Sequence, residues 1–118
     1  MNVLAIDQGT SATKALVVDA RGTALAAAEV AVPSRVRGDG GVEQEPEALW
    51  QSVVRAGSEA LASARVPVGS VGLANQGETV LAWERASGRP LSPALSWQDR
   101  GAATVCARVG RPADGLGP

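Results

Sequence analysis

Val3, Leu4, Ala5 and Ile6 form an apolar run without helical spacing that stops at Asp7-Gln8-Gly9-Thr10, a cluster of turn formers. This predicts a buried strand feeding a tight turn. Ala15-Leu16-Val17-Val18 repeats the pattern, stops at Asp19-Ala20-Arg21-Gly22 and leads into the apolar-biased residues 23–32. Two hairpins joining three strands are the economical reading, although Ala24, Leu25, Ala26, Ala27 and Ala28 are strong helix formers and suit a helix as well. Pro33, Gly38, Gly40 and Gly41, set among alternating charges, mark residues 33–41 as a loop. A helix is predicted next. Pro46 suits its first position and Glu47 the positive end of its dipole, and Leu49, Val53, Val54, Gly57, Ala60, Leu61 and Ala64 recur at three- and four-residue spacing before Pro67 bounds it. Val71-Gly72-Leu73-Ala74 and Thr79-Val80-Leu81-Ala82-Trp83 read as strands on either side of the polar Asn75-Gln76-Gly77-Glu78, and Ser87-Gly88 as a hairpin turn. A last helix is expected over about residues 98–108, stopped by Gly110 and Pro112. Residues 113–118 carry no core-building pattern, so the chain reads as part of a larger α/β unit.

Composition narrows the chemistry. With 118 residues, 45% of them hydrophobic, the chain can bury a modest core without disulfides. Eleven basic against twelve acidic residues leave a net charge of −1 with no basic run, which argues against nucleic acid as a partner. No stretch approaches the ~20 apolar residues that a membrane span needs, and no charged leader precedes an apolar segment. A soluble, cytoplasmic protein is the expectation. Histidine is absent and Cys106 is the single cysteine, which excludes Ser/His/Asp, Cys/His and His-ligated zinc mechanisms within these residues.

The chemistry that remains lies in two polar clusters. Asp7 at a strand end, followed by the backbone N–H groups of Gly9 and Thr10, suits a phosphate and its Mg²⁺, because that ion keeps several waters and takes one or two protein carboxylates. A hairpin aspartate that only satisfies its own turn is the plainer alternative. Lys14, the only lysine, falls four positions beyond Thr10; by strand alternation it shares that residue's face and could reach a terminal phosphate, or simply stand in solvent. Neither a Gly-x-x-x-x-Gly-Lys-Ser/Thr loop nor a Gly-x-Gly-x-x-Gly fingerprint follows the first strand, which disfavours P-loop and Rossmann enzymes. The second cluster, Asn75-Gln76-Gly77-Glu78, offers amide donors and acceptors plus a carboxylate, a set suited to vicinal hydroxyls. Trp97 could lay its indole face on the C–H side of a sugar or polyol. A polar turn and a core tryptophan are the respective alternatives.

Taken in order, Asp7-x-Gly9-Thr10 with Lys14, Val42-Glu43-Gln44-Glu45-Pro46 leading to Trp50, Asn75-Gln76-x-Glu78-Thr79 with Trp83, Ser87-Gly88-Arg89-Pro90-Leu91 and Trp97-Gln98-x-Arg100 resemble the N-terminal lobe of the FGGY carbohydrate kinases, nearest to the glycerol kinases within that family. The resemblance runs from Val3 to about Val109. It implies an incomplete ribonuclease-H-like α/β lobe of the actin and hexokinase superfamily, a mixed β-sheet with flanking helices. ATP and a small sugar or polyol would bind between this lobe, to which residues 1–118 belong, and a C-terminal lobe not included in the sequence. On that likeness Asp7 organises Mg²⁺, through water; Gly9, Thr10, Ser11 and Lys14 serve the nucleotide phosphates; and Gln76, Gly77, Glu78, Trp97 and Asp99 serve the substrate. Lys14 stands where glycerol kinases carry an arginine, which keeps the charge and loses the planar fork. Gly77 also replaces an arginine of the glycerol kinases, whereas a tryptophan two residues before Asp99 is similar to the xylulokinases, so a larger polyol or a ketose is implied. The catalytic base and the adenine pocket would lie downstream. A non-catalytic nucleotide- or sugar-binding module of the same superfamily is the alternative, and a homo-oligomer is compatible with either.

Overall fold

The computed structural model describes residues 1–109. Its main sheet is built from β1 (Val3–Gln8), β2 (Ala12–Val18), β3 (Ala24–Ala31) and β6 (Ser70–Asn75), in the order β3-β2-β1-β6. The first three strands form the expected meander, antiparallel throughout, and β6 adds parallel to β1, which makes the sheet mixed. The helical alternative for residues 24–28 fails because the β2 edge offers that segment an antiparallel ladder, from Ala12 opposite Ala31 to Val18 opposite Ala24, interrupted only by a register shift between Val17 and Val18. A second, three-stranded sheet joins β4 (Arg35–Val36), β5 (Val42–Gln44) and β7 (Ala94–Leu95) in the order β4-β5-β7.

The long crossover from β3 to β6 carries α1 (Pro46–Ala64), which begins at proline and closes at Arg65, a residue in the left-handed region at φ 53°. The helix packs on one face of β1, β2 and β3. Leu4, Ile6, Ala15, Val17, Val30, Ala56 and Ala60 form the core there. Burying one side chain of the size of Val17 contributes about 2 kcal/mol. The buried stripe of α1 is Ser52, Ala56, Gly57 and Ala60, rotated from the expected one, so Val54 and Leu61 are exposed. Small residues let the helix lie close to the sheet, and the Thr13 hydroxyl donates to that of Ser52 (2.6 Å), which itself donates to the Leu49 carbonyl (2.6 Å). That polar link pins the rotation.

Three expectations need correction. Residues 79–83 do not form a strand; Val80 and Trp83 make single bridges to Leu95 and Pro90, and proline has no N–H to extend the ladder. Residues 33–41 are not all loop, since β4 falls inside them. The last helix, α2 (Ala103–Val109), starts later than residue 98, because the Asp99 carboxylate accepts from the N–H of Val42 (2.7 Å) and of Gly101 (2.8 Å) and holds a turn. The stop at Gly110 and Pro112 lies outside the described residues, as do residues 113–118. The hairpin at Ser87-Gly88 is present: Gly88 has φ 73° and Glu84 donates to the Arg89 carbonyl at 2.8 Å.

Candidate active site

Parallel pairing of β1 with β6 sets Gln8 opposite Asn75, so the two strands end together and the segments that follow them, residues 9–11 and 76–78, share one rim. An open cleft of about 470 Å³ lies there, lined by Asp7, Gly9, Thr10, Asn75, Gln76, Gly77, Glu78 and Trp97. Clefts at the carboxyl ends of parallel strands are where α/β sheets bind ligands, because the loops leaving the strands diverge. Here Gly9 donates to the Ala12 carbonyl (3.0 Å), and a Cβ on Gly9 would lie 3.0 Å from that oxygen, a tight approach that favours glycine in the turn. Glu78 is the one non-glycine besides Arg65 with positive φ (63°) among the described residues, a strained backbone at the cleft rim.

The floor of the cleft is a network of three glutamines. Gln44, 2% exposed, donates its amide to the carbonyl of Thr10 (2.8 Å) and the hydroxyl of Ser34 (3.1 Å). Gln8, also buried, donates to the Gly9 carbonyl (2.7 Å). Gln76 donates to the side-chain oxygens of Gln44 (3.0 Å) and Gln8 (3.3 Å) and accepts from the hydroxyls of Thr10 (3.3 Å) and Thr79 (3.0 Å). Trp97, half exposed, donates its indole N–H to Thr10 Oγ1 (2.8 Å) and its backbone N–H to Thr79 Oγ1 (3.2 Å).

Of the residues singled out in the sequence, Asp7, Gly9, Thr10, Gln76, Gly77, Glu78 and Trp97 thus meet in one place. Three stand elsewhere. Ser11 is exposed, and its carbonyl accepts from Val32 (2.8 Å). Lys14 does not share a face with Thr10, which lies in the turn before β2 begins; it pairs across the sheet with Asp7 and Glu29, on the face away from α1, with Nζ 3.8 Å from the Glu29 carboxylate. Asp99 sits behind the cleft, against β5. Sequence reasoning gave no role to Gln8, Gln44 or Thr79. A glutamine closing an apolar strand, as Gln8 does, was the one available signal, since burying a polar side chain requires partners for it.

The strand that presents Gln44 is held by charge. Its neighbour Glu43, 5% exposed, accepts from Arg35 and from Arg37 (2.7 Å). Those two guanidinium hydrogen bonds, Arg35's first, hold the Glu43 carboxyl below the usual carboxylate range.

Comparison with known proteins covers most of the chain. The family described as FGGY family of carbohydrate kinases, N-terminal domain, matches residues 2–115. A glycerol kinase of Rhodospirillum centenum is 42% identical over 110 residues, covering 91% of this chain and 22% of that protein. An apulose kinase of Pectobacterium atrosepticum is 44% identical over 105 residues, with 88% and 21% covered. Among solved structures, Plasmodium falciparum glycerol kinase with ADP superposes with a TM-score of 0.83 at 25% identity, covering 92% of this chain and 22% of that one. Xylulose kinase from Rhodospirillum rubrum matches with a TM-score of 0.83 at 22% identity, covering 92% and 23%. The chain spans about a fifth of the length of the curated relatives it matches.

Proposed function

The chain belongs to the FGGY family of carbohydrate kinases, and from that premise we propose that it is the N-terminal lobe of a cytoplasmic kinase that transfers the γ-phosphoryl group of ATP to a hydroxyl of a sugar or polyol larger than glycerol. The observation that carries this reading is the cleft in which a strand-end carboxylate and a glycine turn face a carboxylate and an indole from segments far along the chain, Thr10 and Trp97 being 87 positions apart. A second lobe supplies the base that takes the proton from the attacking hydroxyl.

The donor set suits Mg²⁺. Among the described residues no three acidic, histidine or cysteine side chains converge, so a fully caged metal is disfavoured, whereas a largely hydrated ion shared with phosphate oxygens needs only a carboxylate such as Asp7. When bound with the nucleotide, the ion neutralises charge on the transferring phosphoryl group. The Gly9 N–H is taken by the Ala12 carbonyl, so in the turn it is the Thr10 backbone N–H that would serve phosphate oxygens, and Lys14, beside Asp7 on the sheet, adds a positive charge nearby. Glu78 accepts from neighbouring hydroxyls of the acceptor while the Trp97 ring covers its carbon backbone. A Cβ on Gly77 would meet nothing within 4 Å, so the rim beside Glu78 has room for the extra carbons of a substrate longer than a triol.

The test is an assay of the full-length protein carrying this lobe, purified from a host lacking its own sugar kinases, for ADP release with three- to six-carbon polyols and ketoses. We expect turnover with at least one acceptor beyond three carbons. Asp7→Ala should lower kcat by about a hundredfold or more with a much smaller change in acceptor KM, because the carboxylate acts on charge that develops during transfer. No turnover with any acceptor would reject the kinase reading, and near-normal kcat for Asp7→Ala at saturating Mg²⁺ would reduce Asp7 to a turn residue.

A further inference from the structure

Gln76 lines the cleft, yet its amide has nothing left to offer a ligand. Two backbone carbonyls, which can only accept, set the orientation of the whole network. Because Thr10 presents its carbonyl to Gln44, the Gln44 amide must turn its NH₂ there and its oxygen toward Gln76; because Gly9 presents its carbonyl to Gln8, the Gln8 oxygen likewise faces Gln76. Gln76 must therefore point its own NH₂ at both, at 3.0 and 3.3 Å. That fixes its oxygen on the opposite side, where it receives the hydroxyl protons of Thr10 and Thr79. A side-chain amide has two N–H donors and two acceptor lone pairs, and all four are used. With their protons directed at Gln76, the two threonine oxygens have lone pairs turned outward, and these take the indole and backbone N–H groups of Trp97.

We propose that Gln76, together with Gln44 and Thr79, is a positioning residue that fixes the Trp97 ring over the acceptor subsite and ties it to the glycine turn, and that none of the three touches the substrate. The catalytic part of this rests on the kinase reading; the positioning of Trp97 does not. Its consequence is that Trp97, its N–H already committed, presents only a ring face to the cleft. The device also joins the two halves of the site, since the same Thr10 hydroxyl lies in the turn and carries the indole.

The discriminating position is Thr79, half-buried, where serine keeps the hydroxyl and valine keeps only the shape. In the full-length protein with Trp50 and Trp83 replaced by phenylalanine, and with any tryptophan outside this lobe replaced likewise, acrylamide quenching reads Trp97 directly. Thr79→Val and Gln44→Met should raise its quenching and Thr79→Ser should not. In the kinase assay with glycerol and D-xylulose as acceptors, Thr79→Val should lower acceptor kcat/KM by roughly tenfold, the scale of one lost buried hydrogen bond, and Thr79→Ser should stay within about twofold. If Gln44→Met fails to fold, Thr79→Val against Thr79→Ser decides alone. Unchanged quenching in Thr79→Val would overturn the proposal, as would a Gln76→Met variant that loses activity while Thr79→Val and Gln44→Met keep it, which would mean that Gln76 meets substrate itself. Absence of turnover in the unmodified protein would count against the kinase reading only, and the quenching result would still decide the positioning role.

Discussion

Two neighbouring rim residues separate what the lobe needs for folding from what it needs for its ligand. Glu78 is exposed and sits at φ 63°, a conformation costing an L-residue about 1 kcal/mol that glycine adopts freely. Glu78→Gly should therefore leave the Tm unchanged or slightly higher, the relief of strain being partly offset by the entropy glycine adds to the unfolded chain, while acceptor turnover falls steeply. A variant that lost both together would show that the glutamate supports the fold. Gly77 makes the converse case, since open space surrounds it and its φ is not positive. Gly77→Arg should fold normally and shift preference toward glycerol, because a guanidinium supplies donors for a small triol and fills the volume that longer acceptors occupy. We expect the glycerol to D-xylulose ratio of kcat/KM to rise by about tenfold or more, in the range that pairing a substrate hydroxyl commands. Glycerol emerging as the best acceptor of the unmodified protein would remove the premise. Both residues were legible in the sequence as a polar stretch following the apolar run of β6, whereas Gln44 was not, because nothing local tells a buried glutamine from a solvated one.

Elements that follow one period over many residues could be read directly; those whose pairing is tertiary could not. The meander of β1, β2 and β3 and the start of α1 follow from apolar runs, turn formers and Pro46, each a local cause. The two- and three-residue strands β4, β5 and β7 exist only because they meet one another. Charge then decides how firmly they meet. Arg35 and Arg37 clasp Glu43 from β4 and the loop beyond it, and Arg37 also reaches Asp39, whose carboxyl is held below its ordinary value first by the Gly41 N–H and next by Arg37. A depressed folded pKa means that the unfolded chain binds the proton more readily, so the clasp stabilises fully above the ordinary carboxylate range, near pH ~4.3, and is lost as the pH falls below it. Glu43→Gln should therefore lower the Tm at pH 7 and flatten the loss of Tm between about pH 5 and pH 2, relative to the parent. Thermal melts of both proteins across that range provide the check, and parallel curves would show that Glu43 does not carry the acid sensitivity. Because Gln44 follows Glu43 on β5, the same acidification should loosen the floor of the cleft.

At the scale of the molecule, α1 covers β1, β2 and β3 on one face of the main sheet, and its contacts do not extend in any number to β6. Val71 and Leu73, in register with Leu4 and Ile6 and so on the helix side, are left 63% and 64% exposed. On the opposite face Leu16 is also exposed, beside Ala5, Gly72 and Ala74 around a second hollow of about 570 Å³. Among the described residues, β6 is also the outer strand of its sheet, so unpaired backbone and apolar side chains coincide along one edge, a combination that templates association. The glycerol kinase of Rhodospirillum centenum is far longer than this chain, which matches 22% of it, and a protein of that length would have further chain to cover such an edge. Expressed alone, residues 1–118 should associate with increasing concentration in sedimentation experiments and show no kinase turnover with any polyol. Val71→Lys with Leu73→Lys should restore the monomer without lowering the Tm, since both side chains already stand mostly in water and their removal leaves no cavity. In the full-length protein the same pair should be strongly destabilising, because each lysine would then sit where apolar chain packs. Indifference of the full-length protein to both substitutions would mean that the β6 edge stays open there as well. Turnover by the isolated 118 residues would place the catalytic base inside this lobe.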